Sequence, residues 1–284
     1  MVSSWPAPGR ALFAAILALT APLLSGTSGW AQGRLEARYS VTIAGIPVGQ
    51  GVWVADIAGD QYSTAASGRV TGIARVVTDG EGSAAARGHV SSGRLVPASY
   101  AVTVAADRSL DEIRMAFARG GVSDLQVAPP TRFSPDRVPL TEAHRRGVID
   151  PLTAGLITVG GTGELLTADA CRRTVQIFDG RQRYDLALSF KRMEQVKAEK
   201  GYEGPVVVCT VAYQPLAGHR ANGAAVRQLV ETRDLDIWFA PIAGTRVLAP
   251  FRISFPTLIG TGVLQATQFV SYAHAGRPTA AKVQ

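Results

Sequence analysis

Residues 171–190 read CRRTVQIFDGRQRYDLALSF, and this stretch shows the pattern that decides the fold. Apolar residues alternate with polar ones on either side of Asp179-Gly180, a pair that favours a type I′ hairpin turn. Alternation with a period of two is typical of a β-strand with one buried face. The stretch therefore predicts two antiparallel strands. It begins at Cys171, which is one of only two cysteines in the chain.

The same alternation recurs along most of the chain. Further examples are ARYSVTIAG, VWVADI, ASYAVTVAA, DEIRMAFA, PVVVCTVAY and GVLQATQFVSY. Glycine, proline and Asp-Gly pairs separate these segments, as expected for turns between short strands. We therefore expect a mainly β protein, built as a large antiparallel curled sheet or half-open barrel.

One segment, near residues 139–160, breaks the β pattern. Thr141 is a candidate N-cap of a short helix that Gly147 ends. Asp150 followed by Pro151 is a second helix start, with an acceptor at the N-cap and proline at the first helical position. The segment predicts a short helical insertion in the sheet.

The N-terminus has the three parts of a secretory signal peptide. Arg10 precedes an uncharged run over residues 11–24, and Gly29 and Ala31 occupy the −3 and −1 positions of a cleavage site. An uncleaved membrane anchor is the alternative, although the apolar run is short for a span of about 20 residues. We expect residues 1–31 to be removed and the mature protein to be soluble and periplasmic.

The remaining chain is expected to form one unit. Residues 35–272 are predicted to be a single β-rich domain, and residues 273–284 a disordered tail. The formal net charge of +7 suits contact with anionic lipid or cell-wall polymers, or simply solubility. No basic block or binding motif points to nucleic acid.

The compartment indicates the role of the two cysteines. Two cysteines in an oxidising compartment pair by default, so Cys171 and Cys209 are predicted to form a disulfide. Two free buried thiols and a catalytic thiol are the alternatives. The chain has no CxxC motif, and its four histidines show no metal spacing, so we expect neither a metal site nor a cofactor.

Charged residues near the insertion and one turn are the candidate site residues. His144 and Asp150 are a possible base and its orienting carboxylate, although no serine nucleophile accompanies them. His219 and Arg220 follow a turn, and Arg145 and Arg146 lie in the insertion. Either arginine group can bind an anionic headgroup. Since surface helices and turns also explain these residues, no catalytic residue is predicted and the protein is not expected to be an enzyme.

Several motifs together resemble a known family. They are VPLTEAHRRGVIDPLTAGL, the two cysteine-bearing stretches CRRTVQIFDGRQRYDLALSF and GYEGPVVVC, and LDIWFAPIAGTRVLAPFRISFPTLIGTGVL. From Leu35 to Tyr272 the chain resembles a family of uncharacterised exported bacterial proteins that is frequent in alphaproteobacteria. By looser analogy it is similar to the curled half-barrels of lipoprotein carriers, which implies a fold but no function.

Two functions remain open. The first is binding or shuttling of an apolar, lipid-like ligand, with a cavity lined by residues such as Leu188, Phe190, Trp238 and Phe251. The second is a structural protein of the envelope that has a filled interior and binds a protein partner or peptidoglycan. Inward apolar residues look alike in the two cases, so the sequence leaves the choice open.

Overall fold

The computed structural model describes residues 32–72, 74, 79–131 and 134–274, together with Met1. Within these ranges the chain forms fifteen strands and two α-helices. The strands are β1 (Gly33–Ile43), β2 (Ile46–Ala58), β3 (Gln61–Val70), β4 (Gly80–Ser91), β5 (Arg94–Ala106), β6 (Ser109–Ala118), β7 (Gly121–Ala128), β8 (Ile157–Thr158), β9 (Arg173–Phe178), β10 (Arg183–Lys197), β11 (Lys200–Gly201), β12 (Glu203–Ala217), β13 (Asp236–Pro241), β14 (Val247–Thr257) and β15 (Gly260–Ala273). The helices are α1 (Pro151–Ala154) and α2 (Ala224–Glu231), and 3-10 helices span Glu142–Arg145 and Ala168–Cys171.

The strands form one sheet with the order β7-β6-β5-β4-β3-β2-β1-β15-β14-β13-β12-β10-β9, with β8 beside β14 and β11 beside β15. Pairs along this order are antiparallel, and the first and last strands meet at its centre, where Gly33 lies opposite Ala273. Strands β7 and β9 are the two edges, so the sheet is not closed. The expected mainly β fold, an antiparallel open sheet with a short helical insertion, is confirmed.

We call β1 to β7 the first half of the sheet and β8 to β15 the second half. Type I′ turns join several strands of the first half. Ala44-Gly45, Ser92-Gly93 and Arg119-Gly120 each have positive φ at both positions, with values of 49° and 81°, 50° and 71°, and 53° and 75°. Such turns match the right-handed twist of paired strands. They keep β1 to β7 in a continuous antiparallel meander.

In the second half of the sheet, strands β12 to β14 have buried side chains on both faces. On β12, Val206 and Val208 pack in one apolar cluster with Trp238 and Phe251, whereas Val207 and its neighbours pack in another. A strand that is apolar on both faces reads as a continuous hydrophobic run, as PVVVC does. This half carries most of the largest buried side chains.

The insertion lies between the two edges of the sheet. Arg146 forms a single β-bridge with Gly121, the first residue of edge strand β7. Three residues later, Ile149 forms a parallel bridge with Ile177 of the other edge strand, β9. The insertion therefore links the edges that the strand ladder leaves open.

Asp150 starts α1 as the sequence predicts. Its Oδ1 accepts the backbone N–H groups of Leu152 and Thr153 at 3.0 and 2.8 Å, and its Oδ2 accepts the Thr153 hydroxyl at 2.6 Å. Thr153 Oγ1 also lies 2.8 Å from the Tyr62 hydroxyl of β3. Asp150 is fully buried and holds α1 together, whereas the Thr153–Tyr62 contact connects the insertion to the sheet.

The predicted disulfide is confirmed. Cys171 and Cys209 are bonded, with their Cα atoms 5.5 Å apart. The bond connects the 3-10 helix at 168–171 to β12 and lies within the cluster that contains Val207 and Leu248. It crosslinks the second half of the molecule.

The turn at Asp179-Gly180 differs from the prediction. The hairpin of β9 and β10 is present, but Phe178 lies opposite Arg183, so the loop has four residues rather than two. Only Gly180 has positive φ among its residues, at 97°. Asp179 Oδ1 accepts the N–H groups of Arg181 and Gln182 at 2.8 and 2.6 Å, which favours this wider turn over a type I′ turn.

Two further segments complete the second half of the sheet. Most of the charged stretch KRMEQVKAEKGYEG continues β10 and β12 into a long hairpin. Helix α2 was not predicted. Its apolar residues Val226, Leu229 and Val230 have the i, i+3, i+4 spacing of an amphipathic helix, which is the signal that was available.

Three predictions concern the edges of the described chain. The signal peptide over 1–31, including the cleavage site at Ala31, lies outside the described residues apart from Met1. Strand β15 runs to Ala273, the first residue of the expected tail, and residues 275–284 are not among the described ones. Strand β1 begins at Gly33, two residues before the expected domain start.

Candidate functional site

A cavity of about 520 Å³ lies between the insertion and the first half of the sheet. His89 of β4 and four segments surround it: residues 94–98 of β5, residues 117–121 at the β6–β7 turn, parts of the insertion between residues 147 and 158, and residues 173–176 of β9. We call it the insertion cavity. Its volume is in the range of small-molecule sites, about 300–1,000 Å³.

The walls of the insertion cavity are mainly apolar. Leu95 and Phe117 come from the sheet, Val148 and Leu156 from the insertion, and Val175 from the edge strand β9. Val148 and Leu156 are themselves buried in the neighbouring apolar clusters. The cavity is thus continuous with the interior of the curled sheet.

Arginines are the charged residues of this cavity. Arg94, Arg119 and Arg173 line it together with His89, and no aspartate or glutamate does so among the residues that the structure describes. Arg173 is half-buried, and its Nη1 donates to the carbonyl oxygen of Thr158 at 2.9 Å. Its Nε is buried with no hydrogen-bond partner in the described part of the chain.

Arg173 has no carboxylate as an ion-pair partner among the described residues. No carboxylate lies within ion-pair distance of Arg94, Arg119 or Arg173 in the described ranges. Burial lowers the pKa of Arg173, and the charge of Arg94 lowers it further. A partly buried cation without a nearby counter-charge favours the binding of an anion beside it.

Three other cavities, of about 510 to 620 Å³, differ in their charge. Each is lined by at least one arginine together with at least one carboxylate: Arg38 with Glu81, Arg69 with Glu81, and Arg34 with Asp56. Each of these cavities thus has a carboxylate in its wall, unlike the insertion cavity.

The predicted headgroup residues do not come together. Arg145 pairs with Glu142 at 3.0 Å, and Arg146 is exposed beside the β6–β7 turn. These two lie next to the insertion cavity but do not line it.

His219 and Arg220 lie beside residues 136–138. Arg220 pairs with Asp136 at 3.4 Å on the surface, which agrees with a salt bridge at a turn. The carbonyl oxygen of His219 accepts the Val138 N–H at 3.0 Å, and its Nδ1 is buried without a partner among the described residues.

His144 and Asp150 have separate roles. The Thr141 N–H donates to His144 Nδ1 at 3.0 Å, so this imidazole caps the short 3-10 helix. Asp150 instead caps α1 and is bonded to Thr153. Burial raises the pKa of Asp150, and its hydrogen bonds oppose that rise. The arrangement is structural at both residues.

The four residues predicted to line one cavity are also separated. Trp238 and Phe251 pack in one cluster of the second half, and Leu188 packs in the cluster around the disulfide. Phe190 is 41% exposed, at an irregularity in the pairing of β10 with β12. The four side chains thus lie in two different apolar clusters or at the surface, and their role in lining a cavity stays a prediction.

Arg94, Arg119 and Arg173 were missed by sequence reasoning. A signal existed for two of them: Ser92-Gly93 and Arg119-Gly120 mark tight turns, and alternate turns of a meander lie at the same end of a sheet. Arg173 had no such signal, because its approach to the same end depends on how the second half of the chain folds back.

The described residues contain neither a membrane-spanning helix nor a cluster of metal-binding side chains. None of their helices is long and apolar enough to cross a membrane. No group of three or more histidine, cysteine, aspartate or glutamate residues among them is placed to hold a metal ion.

Comparison with known proteins identifies a family. The fold is similar to a crystal structure described as a beta-barrel-like protein of domain of unknown function DUF1849 from Brucella abortus. The two chains share 13% identity with a TM-score of 0.45, over 85% of this chain and 98% of the other. No curated protein matches the chain. The family described as "Protein of unknown function (DUF3108)" matches residues 38–267. That match covers most of the sequence and confirms the predicted relationship to an uncharacterised family, so the chain belongs to the DUF3108 family.

Proposed function

We propose that this protein binds a small amphipathic molecule in the insertion cavity and acts as a carrier or receptor in the cell envelope. The observation that carries the proposal is the composition of the cavity. Its walls are mainly apolar, its charged residues are three arginines, and no carboxylate of the described chain lines it. An apolar pocket with a few placed polar groups is the usual form of a ligand site.

The periplasm is the compartment that we propose. The sequence supports it through the n-region, the apolar run and the small-residue cleavage site over residues 1–31. The disulfide between Cys171 and Cys209 supports it independently, because such bonds persist in oxidising compartments.

We propose binding rather than catalysis. The one candidate acid–base pair, His144 and Asp150, is used for helix capping at two different helices. The cations of the insertion cavity are suited to holding an anion, and Arg173 retains its charge under all ordinary conditions.

Native mass spectrometry of the protein purified from the periplasm tests the proposal. A stoichiometric adduct that solvent extraction removes, and that is identified as an amphiphile, is the expected result. An apo mass together with no uptake of added amphiphiles would contradict it.

A matched pair of variants assigns the adduct to the insertion cavity. Ala98 lines the cavity on β5, so Ala98→Trp fills it, whereas Ala101→Trp adds the same bulk elsewhere on the strand. We expect the first variant to lose the adduct and the second to keep it. Equal retention by both would place the ligand elsewhere.

One observation favours a second candidate function, an envelope protein without a small-molecule ligand. Leu258 and Ile259 form the β14–β15 turn and are 69% and 75% exposed. Exposed apolar residues in a cluster are typical of a partner-binding surface. Under this alternative, Leu258→Ser/Ile259→Ser impairs envelope integrity in cells, while Ala98→Trp has no effect.

A further inference from the structure

One edge of the Arg173 guanidinium is hydrogen-bonded to the chain, and the other edge has no hydrogen-bond partner among the described residues. Nη1 donates to Thr158 of β8, which fixes the plane of the group at the wall of the insertion cavity. Nε is buried and has no partner among the described residues, and no hydrogen bond from Nη2 occurs there either. The edge formed by Nε and Nη2 is a two-donor fork, the geometry that matches a carboxylate or a phosphate.

A second cation lies close enough to act on the same ligand. Arg94 is the first residue of β5, lines the same cavity, and affects the ionisation of Arg173 through its charge. Arg94 is exposed, so it stands at the solvent side while Arg173 stands at the protein side. Two like charges that share a cavity repel each other unless an anion lies between them.

The apolar wall begins next to these two cations. Leu95 follows Arg94 on β5, and Val175 lies two residues beyond Arg173 on β9. A ligand whose charged group meets the arginines thus has an apolar surface beside it for a hydrocarbon chain. Burial of such a chain is favourable in proportion to its apolar area.

We propose that Arg173 and Arg94 together bind the anionic headgroup of an acyl-chain amphiphile, with the carboxylate or phosphate on the Nε–Nη2 edge of Arg173. This inference rests on the proposed binding function and specifies the ligand class for the same cavity. Arg173 supplies the fork and the orientation, and Arg94 adds charge at the entrance.

Four probes separate the ligand classes in a calorimetric titration of the delipidated, disulfide-bonded protein at pH 8 and low salt. They are dodecanoate, dodecyl phosphate, dodecanol and inorganic phosphate. We expect both charged amphiphiles to bind at least about tenfold more tightly than dodecanol, and inorganic phosphate to bind much more weakly than dodecyl phosphate.

Three variants assign the preference to residues. Arg173→Met keeps the side-chain length but removes the charge, and we expect it to abolish the preference for anions while dodecanol still binds. Arg94→Gln is expected to reduce the preference several-fold. Arg108→Gln is the matched control, because Arg108 is exposed at the β5–β6 turn and does not line the cavity.

Arg173→Lys keeps the charge and loses the fork, so an intermediate preference is expected. If Arg173→Met does not fold, Arg173→Lys and Arg94→Gln together test the proposal.

The possible failures are distinct. If no probe binds, dodecanol included, both the proposed function and this inference are wrong. If dodecanol binds as tightly as dodecanoate, or if Arg173→Met keeps the anion preference, only the inference is overturned. If inorganic phosphate binds as tightly as dodecyl phosphate, the site holds a free anion and the amphiphile class is overturned.

Discussion

The two halves of this sheet use the same strand pattern in different ways. In β4 to β7 the buried side chains are few: Ala86, Pro97, Tyr100, Ile113 and Met115. In β12 to β14 they are many, and they include Val206, Val207, Val208, Trp238, Phe239, Leu248 and Phe251. The insertion cavity lies against the first half, and the disulfide lies in the second. The difference teaches that the densest packing and the cavity that we propose as a binding site lie in different parts of one continuous sheet.

A pair of phenylalanine truncations gives the largest expected contrast. Phe239 is 2% exposed in the second half, and Phe239→Ala is expected to lower the free energy of unfolding by about 3–5 kcal/mol. Phe117 is half-buried at the cavity wall, and Phe117→Ala should cost about 1–2 kcal/mol, since less apolar area is lost. Urea denaturation of the two variants measures the difference. Equal costs would remove the distinction between the halves.

Loss of the disulfide should affect stability next most. The bond joins residues separated by 38 positions, and a loop of this size contributes about 4 kcal/mol in the chain-entropy model. The double variant Cys171→Ala/Cys209→Ala is expected to lose an amount of that order, and reductant should lower the Tm of the wild type but not that of the variant. A wild-type Tm that does not change with reductant would contradict the prediction.

Variants of Asp150 test how the insertion, which bridges the edge strands of the two halves, is stabilised. Asp150→Ala removes the cap of α1 and is expected to lower the free energy of unfolding by about 1–2 kcal/mol. Asp150→Asn is the matched control, because its amide oxygen still accepts the N–H groups of Leu152 and Thr153. Thermal melts at pH 7 measure both. Equal losses would mean that the cap is not what stabilises the insertion.

The same variants give a pH dependence with a definite sign. Burial raises the pKa of Asp150 above its ordinary 3.8, so the folded state takes up a proton more readily than the unfolded state. The contribution is fully present below that ordinary value and is lost as the pH rises through the folded-state pKa. The stability of Asp150→Asn relative to wild type should therefore increase from pH 4 towards pH 7. A constant difference would show that the residue does not titrate on folding.

The smallest expected effect is at a turn of the first half. Ser92 has φ 50° in the β4–β5 turn, and asparagine tolerates this left-handed backbone better than serine does. Ser92→Asn should recover a fraction of the roughly 1–2 kcal/mol that such a backbone costs an ordinary residue. Ser91→Asn, in the preceding extended position, is the control and should bring no gain in Tm.

Local patterns in the sequence predicted much of the fold. Alternation located strands such as β1, β6 and β10, and Asp150-Pro151 located α1, because each signal lies within a few neighbouring residues. The disulfide was predicted from the compartment and not from spacing. Helix α2 was missed although its apolar spacing was visible, and the turn at Asp179 was misread because its carboxylate bonds two backbone groups ahead.

The insertion cavity could not be predicted from local patterns in the sequence. The insertion cavity is made from four segments, and its deepest cation, Arg173, reaches it from an edge strand at the far side of the sheet order. An arginine next to a cysteine looks the same whether it faces solvent or a cavity. What distinguishes Arg173 is the lack of a neighbouring carboxylate in the described structure, which is a property of the folded arrangement.

The central pairing of β1 with β15 has a consequence for folding speed. Gly33 lies opposite Ala273, and the His274 N–H donates to the Gln32 carbonyl at 3.1 Å, so the two ends of the described chain are adjacent. This ladder has the longest sequence separation in the sheet, and high contact order slows folding. A circular permutant that joins residue 274 to residue 32 through a short linker and opens at the exposed Pro135-Asp136 turn, between β7 and the insertion, converts this pairing into a local hairpin and leaves the hairpins of the ladder uncut. We expect such a permutant to fold faster than the natural chain order while it forms the same sheet.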